Sequence, residues 1–281
     1  MFHDFTQEKL RSACRQNIES LEIWARRIIH EELCHNYGTD YFNYQFGNGE
    51  YLVKNDIREK AKHMQQKEPH RFLRYVDTLF LDEIIYFLCK PTLYLQHFKK
   101  MLDIKYPQGV EEVREFLGRL IPIRNALSHS NPISVRDAEI AICYSNDFID
   151  GVKTYYFNEG KEKMWNVPTV LRATDSDGNV LYTNSDGVAK IYSHFYVGDI
   201  YTVYIEVDPS FAQSEYAIRW LKNDCIPIPE YADNASCTVI FSNADVSESW
   251  SLICEVTSNK DWHKKGDCDD WLRLTFTVYP R

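Results

Sequence analysis

The apolar residues of this chain keep one period in its first half and another towards its end, and that switch commits it to two differently built parts. Leu10, Cys14, Ile18, Leu21, Ala25 and Ile28 recur every three or four residues, the spacing that lines one face of an α-helix. Further on the rhythm is two: Tyr201, Val203, Ile205 and Val207 alternate with Thr202, Tyr204 and Glu206, as in a strand with one buried face. A pattern with the helical period cannot bury its apolar residues as a strand, nor the reverse, so the two halves need separate cores.

The first helix is expected to run to about Leu33, with Gly38 punctuating its end. Residues 41–49 are aromatic and rich in Asn and Gly, which predicts a loop or short hairpin, and residues 56–66 predict a polar helix. Phe72, Val76, Leu79, Phe80, Ile84, Phe87 and Leu88 predict one strongly apolar helix stopped by Pro91, with Leu95, Phe98 and Leu102 on a short continuation. Residues 110–128 form the next, with Pro122 as a kink. Ser134 followed by Asp137 is a variant capping box, opening a last helix to about Phe157. Short connections between four or five helices imply an up-and-down bundle.

The expected division is a helical domain over 1–158, a linker over 159–168 and a β-domain over 169–281. Besides 201–207, strands are expected at 188–193, 215–221, 237–242, 249–257 and 271–279, and Asp177-Gly178-Asn179 and Ser185-Asp186-Gly187 read as turns. Some seven short strands predict an all-β, antiparallel sandwich, so the fold class is multidomain α and β.

Charge separates the halves as sharply as periodicity does. Residues 1–164 carry 23 Lys and Arg against 24 Asp and Glu, whereas residues 165–281 carry 9 against 17. Phosphate affinity is built from Lys and Arg, so any contact with RNA belongs to the first half. The opening Met1-Phe2-His3-Asp4 is polar and acidic, unlike a secretory signal, and no apolar stretch is long enough to span a bilayer. The expected setting is cytoplasmic, with no membrane contact. Eight cysteines at 14, 34, 89, 143, 225, 237, 254 and 268 include no CxxC pair, which argues against a zinc site and for reduced, mostly buried thiols. Neither metal nor cofactor is expected.

The segment that carries chemistry is Ile121-Pro122-Ile123-Arg124-Asn125-Ala126-Leu127-Ser128-His129. Arg124, Asn125 and His129 are the candidate catalytic residues. Metal-free cleavage of RNA needs a group that moves the proton of the 2′-OH and a cation on the scissile phosphate. Histidine, with a free pKa of about 6.5, suits the first task, and arginine, always charged and fork-shaped, suits the second. Asn125 would position either the phosphate or His129. Asp82 and Glu83, the acids in an otherwise apolar helix, are supporting candidates for orienting Arg124, although they equally suit a simple flank of its buried face. On an ideal helix Arg124 and His129 lie about 140° apart while Asn125 and His129 share a face, so the first two converge only at a kinked or frayed helix or across two subunits. A second Arg-x4-His match, Arg58 to His63, reads as a solvated helix face.

The order Arg-Asn-x-x-x-His, short loop with Pro132, then capped final helix resembles the HEPN domains of bacterial defence proteins, over roughly residues 5–158. The resemblance implies a helical bundle that pairs as a homodimer, two motifs lining one composite cleft, and cleavage without metal to 2′,3′-cyclic phosphate ends. It points to a toxin or effector of antiviral defence of the abortive-infection kind. Trp220 in Tyr-Ala-Ile-Arg-Trp and Cys254 in Trp-Ser-Leu-Ile-Cys resemble the C and F strands of an immunoglobulin-like domain, without a cysteine in the strand 201–207. Such a domain would act as sensor, regulator or docking module for a protein partner or ligand. The rival reading is a non-catalytic HEPN protein that dimerises through its helices and binds a protein partner through the sandwich.

Overall fold

The computed structural model describes residues 6–69, 71–182 and 188–281 and divides the chain into two compact units, Met1–Gly160 and Lys161–Arg281. The Ser185-Asp186-Gly187 turn and the first residues of the expected polar start lie outside the described residues.

The first unit is helical. Helix α1 (Gln7–Tyr37) begins at Thr6, whose hydroxyl accepts the Lys9 N–H, and ends at Gly38, whose φ of 82° a side chain would resist. Leu10, Cys14, Ile18, Leu21, Ala25 and Ile28 are all buried, as their spacing demands. The helix packs along α8 (Val135–Asn158) and against α3 (Leu81–Cys89) and α7 (Leu120–Ser128). Helix α2 (Asn55–Lys67) is amphipathic and buries little beyond Ile57 and Ala61. Ser134 and Asp137 cap the start of α8 reciprocally.

The apolar run from Phe72 to Leu88 is not one helix. Residues Tyr75–Thr78 form a 3₁₀ turn, Leu79 and Phe80 are extended, and only then does α3 begin. Two carboxylates impose the break: Asp77 accepts the Arg74 N–H at 2.9 Å and Glu83 accepts the Phe80 N–H at 2.8 Å, so each starts a fresh turn. Phe80 thereby leaves the buried stripe and stands 39% exposed. The short α4 (Pro91–Leu93), a π-helical turn at Tyr94–Phe98 and α5 (Lys99–Leu102) follow. The helix expected over 110–128 is divided at Arg119 into α6 (Val110–Gly118) and α7. Pro122 causes this, since it has no N–H for the carbonyl four residues back, at Gly118.

The second unit opens with the short α9 (Glu162–Trp165) and continues as two sheets that share one apolar core. One sheet orders its strands β2-β1-β4-β7 (Val180–Tyr182, Val170–Asp175, Ile200–Val207, Ser236–Ile240). The other orders them β3-β9-β8-β5-β6 (Val188–Tyr196, Asp270–Tyr279, Ser247–Ser258, Tyr216–Lys222, Ile226–Pro227). Tyr201, Val203 and Ile205 are fully buried while Ile200 and Tyr204 face out, the alternation that the sequence predicts. The expectation of a wholly antiparallel β-domain needs correction: β3 pairs with β9 in parallel, because the chain crosses from the first sheet to the second between β2 and β3 and returns at β4. All eight cysteines are free, five of them buried. Among the described residues no helix is long and apolar enough to cross a membrane.

The helical unit buries a titratable pair near the end of α1, where His30 Nδ1 lies 3.2 Å from the Tyr41 hydroxyl. Burial, with Arg74 nearby, lowers the His30 pKa from 6.5 to about 4. The folded chain therefore holds His30 neutral where the unfolded chain takes up a proton. Its contribution is complete above pH 6.5 and is lost as pH falls towards 4. Urea titrations across that window should show stability falling with acid, and His30→Leu should flatten the dependence. The flattening should be partial, since burial lowers His97 as well.

Candidate functional site

The candidate residues sit on the last turn of α7, and the way that helix ends sets their placement. The Ser130 N–H donates to the Leu127 carbonyl at 3.3 Å and the Asn131 N–H to the Ala126 carbonyl at 2.9 Å, the paired bonds of a Schellman stop. Such a stop needs a left-handed residue between them, and Ser130 takes that conformation with φ 59°. His129 is the cap residue, and its N–H donates to the Asn125 carbonyl at 3.1 Å. Asn125 and His129 are thus one turn apart on the helix, and both are exposed.

The loop after His129 is fastened to the start of α1. The Gln7 side chain donates to the Ile133 carbonyl at 2.9 Å and accepts the Ile133 N–H at 3.0 Å. The Arg11 guanidinium donates to the Asn131 carbonyl at 2.5 Å and the Leu127 carbonyl at 3.3 Å. It places a positive charge at the negative C-terminal end of α7, beside the Leu127 carbonyl and that of the loop residue Asn131.

Arg124 points elsewhere, towards α1 and the break before α3. Its Nε lies 3.7 Å from Glu22 Oε1, and its guanidinium carbon lies 5.1 Å from the centre of the Phe80 ring. Glu22 is buried, and its other oxygen accepts from Arg26 at 2.7 Å. Arg26 in turn donates twice to the Leu79 carbonyl, at 3.0 and 2.6 Å. A loop of contacts therefore runs from Arg124 through Glu22, Arg26 and Leu79 to Phe80 and back to Arg124. It fixes the guanidinium at its base and leaves the side chain 30% exposed. No hydrogen bond joins Arg124 to His129 within the chain, as their 140° separation on an ideal helix leads one to expect.

The carboxylate beside Arg124 is thus Glu22, on a helix 102 positions earlier, and not the Asp82 or Glu83 that the sequence offered. Asp82 is exposed. Glu83 caps Phe80 and pairs with Lys60 of α2. The roles of Glu22, Gln7 and Arg11 escaped the sequence reading. Their only trace there is a polar stripe along α1, since 7, 11, 22 and 26 fall within about 100° of one another on an ideal helix. The second Arg-x4-His match lies on α2, where Arg58 stacks on the Tyr51 ring at 3.6 Å and donates to Asn55, while His63 is exposed. In the Asp175-to-Asn179 turn, Asp175 accepts the N–H groups of Asp177 and Asn179 and the Tyr201 hydroxyl.

The chain matches no protein-family model and no curated protein. Chemically, the end of α7 presents an exposed imidazole, an exposed amide one turn away and a braced guanidinium on the neighbouring face. Removing Glu22 would leave Arg26 and Arg124 facing each other over a partly buried gap. Glu22→Ala should lower unfolding stability by about 3 kcal/mol in chemical denaturation, the order found when one partner of a buried ion pair is deleted.

Proposed function

We propose that the chain is a metal-independent endoribonuclease of the HEPN type, acting as a homodimer in antiviral defence, with Arg124, Asn125 and His129 as its working residues. The observation that carries this reading is the exposed His129 at a rigidly stopped helix end, with Asn125 one turn below and Arg124 braced by Glu22. His129 takes the proton from a ribose 2′-OH, the 2′-oxygen attacks phosphorus, and the bond to the 5′-oxygen breaks as that oxygen takes a proton from water, His129 then returning its own proton to solvent. The products are a 2′,3′-cyclic phosphate and a 5′-hydroxyl. Arg124 stabilises the charge that builds on the phosphoryl oxygens, and it needs no rearrangement to do so because its stem is already held. Asn125 supplies an amide on the face of His129 for the phosphate. Arg124 and His129 diverge within one chain, so the reading places two motifs opposite each other across a dimer of helical units. It locates the site in the cytoplasm, where RNA is at hand.

The β unit is read as an immunoglobulin-like sandwich. Support comes from its two sheets over one core, the crossing of β3 onto β9, and the pairing of Trp220 on β5 with Cys254 on β8. Its excess of carboxylates disfavours RNA, which suits a sensor or a docking module better than a second nucleic-acid surface.

One observation favours the rival, a non-catalytic HEPN protein that binds a protein partner. On the outer face of the four-stranded sheet Ile200 and Ile240 are register partners, 62% and 65% exposed, and Tyr204, four residues along the same strand, is 52% exposed.

Incubating the purified protein with mixed RNA in EDTA separates the readings. Wild type should cleave, and His129→Ala and Arg124→Ala should each lose about 10²-fold or more in rate, the scale of a missing general base or phosphate cation. Cleavage that persists unchanged in both variants would remove these residues from the site. An inert wild type that still dimerises would favour the interaction protein.

A further inference from the structure

The break before α3 does more than position Arg124. It lifts Phe80 out of the core, and the ring that emerges gathers a second cation. Lys60 Nζ lies 3.9 Å from the centre of the Phe80 ring, whose other neighbour is the Arg124 guanidinium at 5.1 Å. Each cation has a carboxylate behind it: Glu83 pairs with Lys60, and Glu22 with Arg124 as well as Arg26. Two ion pairs therefore lean on one aromatic ring, and the ring remains 39% exposed.

A large apolar side chain left in water costs free energy, and two like charges drawn to the same ring repel each other. The ring's negative face offsets part of that repulsion. Lys60 is 28% exposed against 13% for Glu83, and Arg124 30% against 10% for Glu22, so an approaching ligand meets more positive than negative surface.

We propose that Lys60, Phe80 and Arg124 form an extended subsite for single-stranded RNA, in which Arg124 takes the scissile phosphate and Lys60 a neighbouring phosphate of the same strand. The proposal rests on the ribonuclease reading for the role of Arg124 and adds Lys60 and Phe80 to it. Lys60 belongs to α2, the helix of the second Arg-x4-His match, which now has a use that the pattern did not reveal. Exposed His63 and Lys67, three and seven residues on from Lys60, continue the same face and extend the path for the strand. A single strand fits better than a duplex because its flexible backbone can bring successive phosphates to two cations gathered on one ring. Phe80 is a positioning residue that keeps the two charges together.

The test is binding, which does not depend on turnover. A dye-labelled, fully 2′-O-methylated single-stranded oligonucleotide cannot be cleaved through its 2′ position. Its affinity, measured by anisotropy over a salt series, counts phosphate contacts through the slope of log K against log salt. Lys60→Gln should make that slope shallower by about 0.7, the value for one lost contact on a single strand, and Lys60→Arg should restore it. Lys62→Gln is the control: it removes the same charge from the same helix, about 200° away and exposed, and should leave the slope as in wild type. Equal slopes for Lys60→Gln and Lys62→Gln overturn the subsite, as does a wild type that does not bind. Thermal melting of each variant confirms that it is folded. If the slopes are equal while RNA is still cleaved, the subsite falls and the ribonuclease reading stands. If Lys60→Gln shows the slope change in a protein that does not cleave, the phosphate contact at Lys60 stands, while the ribonuclease reading and with it the scissile role of Arg124 fall.

Discussion

The Glu22 carboxylate, buried between Arg26 and Arg124, is the contact on which the candidate site depends. Burying one carboxylate costs several kcal/mol even after the protein relaxes, and its attraction to nearby guanidiniums offsets that cost only when the geometry is good. Here one oxygen accepts from Arg26 at 2.7 Å and the other faces Arg124 at 3.7 Å. Arg26 also holds the Leu79 carbonyl, so the same charge cluster pins the extended Leu79–Phe80 segment that separates the 3₁₀ turn from α3. Helix α1 thus works on two faces. Its apolar stripe builds the core with α8, and its polar stripe fastens α7, the loop after it and the start of α3. Positioning of this kind suits a group that acts as a fixed cation, because the ordering cost is met in folding and not in the reaction.

The β unit uses carboxylates differently. Asp245 and Asp269 are buried, and each accepts backbone N–H groups that would otherwise go unpaired at a turn: Ser242 for the first, Ser258 and Lys264 for the second. Burial alone would raise the Asp245 pKa, but bonds from Ser242 and Trp250, with Lys222 nearby, bring it below its ordinary value. These acids shape loops. Part of the negative charge that separates this half from the helical half is therefore structural.

Long, regular elements were legible in the sequence because a single period reports them. Helices α1, α2 and α8 and strands β4, β5, β8 and β9 fall close to where the spacing of apolar residues puts them. The run 72–88 was misread because its apolar count suits a helix, while Asp77 and Glu83 spend their side chains capping N–H groups inside it. Strand β1 was missed because only Val170, Ala173 and Asp175 in it are buried, which breaks the alternation, and β3 gives no hint in its residues that its neighbour runs parallel. At the site, Arg124, Asn125 and His129 could be picked out by pattern. Glu22 could not, because nothing local marks which of 41 acids meets an arginine 102 positions away. Phe80 was assigned to the core on hydrophobicity alone, although two capping acids place it outside.

In the proposed function the end of α7 cleaves RNA through a ribose 2′-OH. Its most direct test is an oligonucleotide of deoxynucleotides carrying a single ribonucleotide, given to wild type and to His129→Ala with the fragment ends identified by mass. The account predicts one cut, on the 3′ side of that ribonucleotide, leaving a 2′,3′-cyclic phosphate and a 5′-hydroxyl, with the variant leaving the strand whole. A cut between deoxynucleotides, a 3′-hydroxyl end, or equal cleavage by His129→Ala would contradict it.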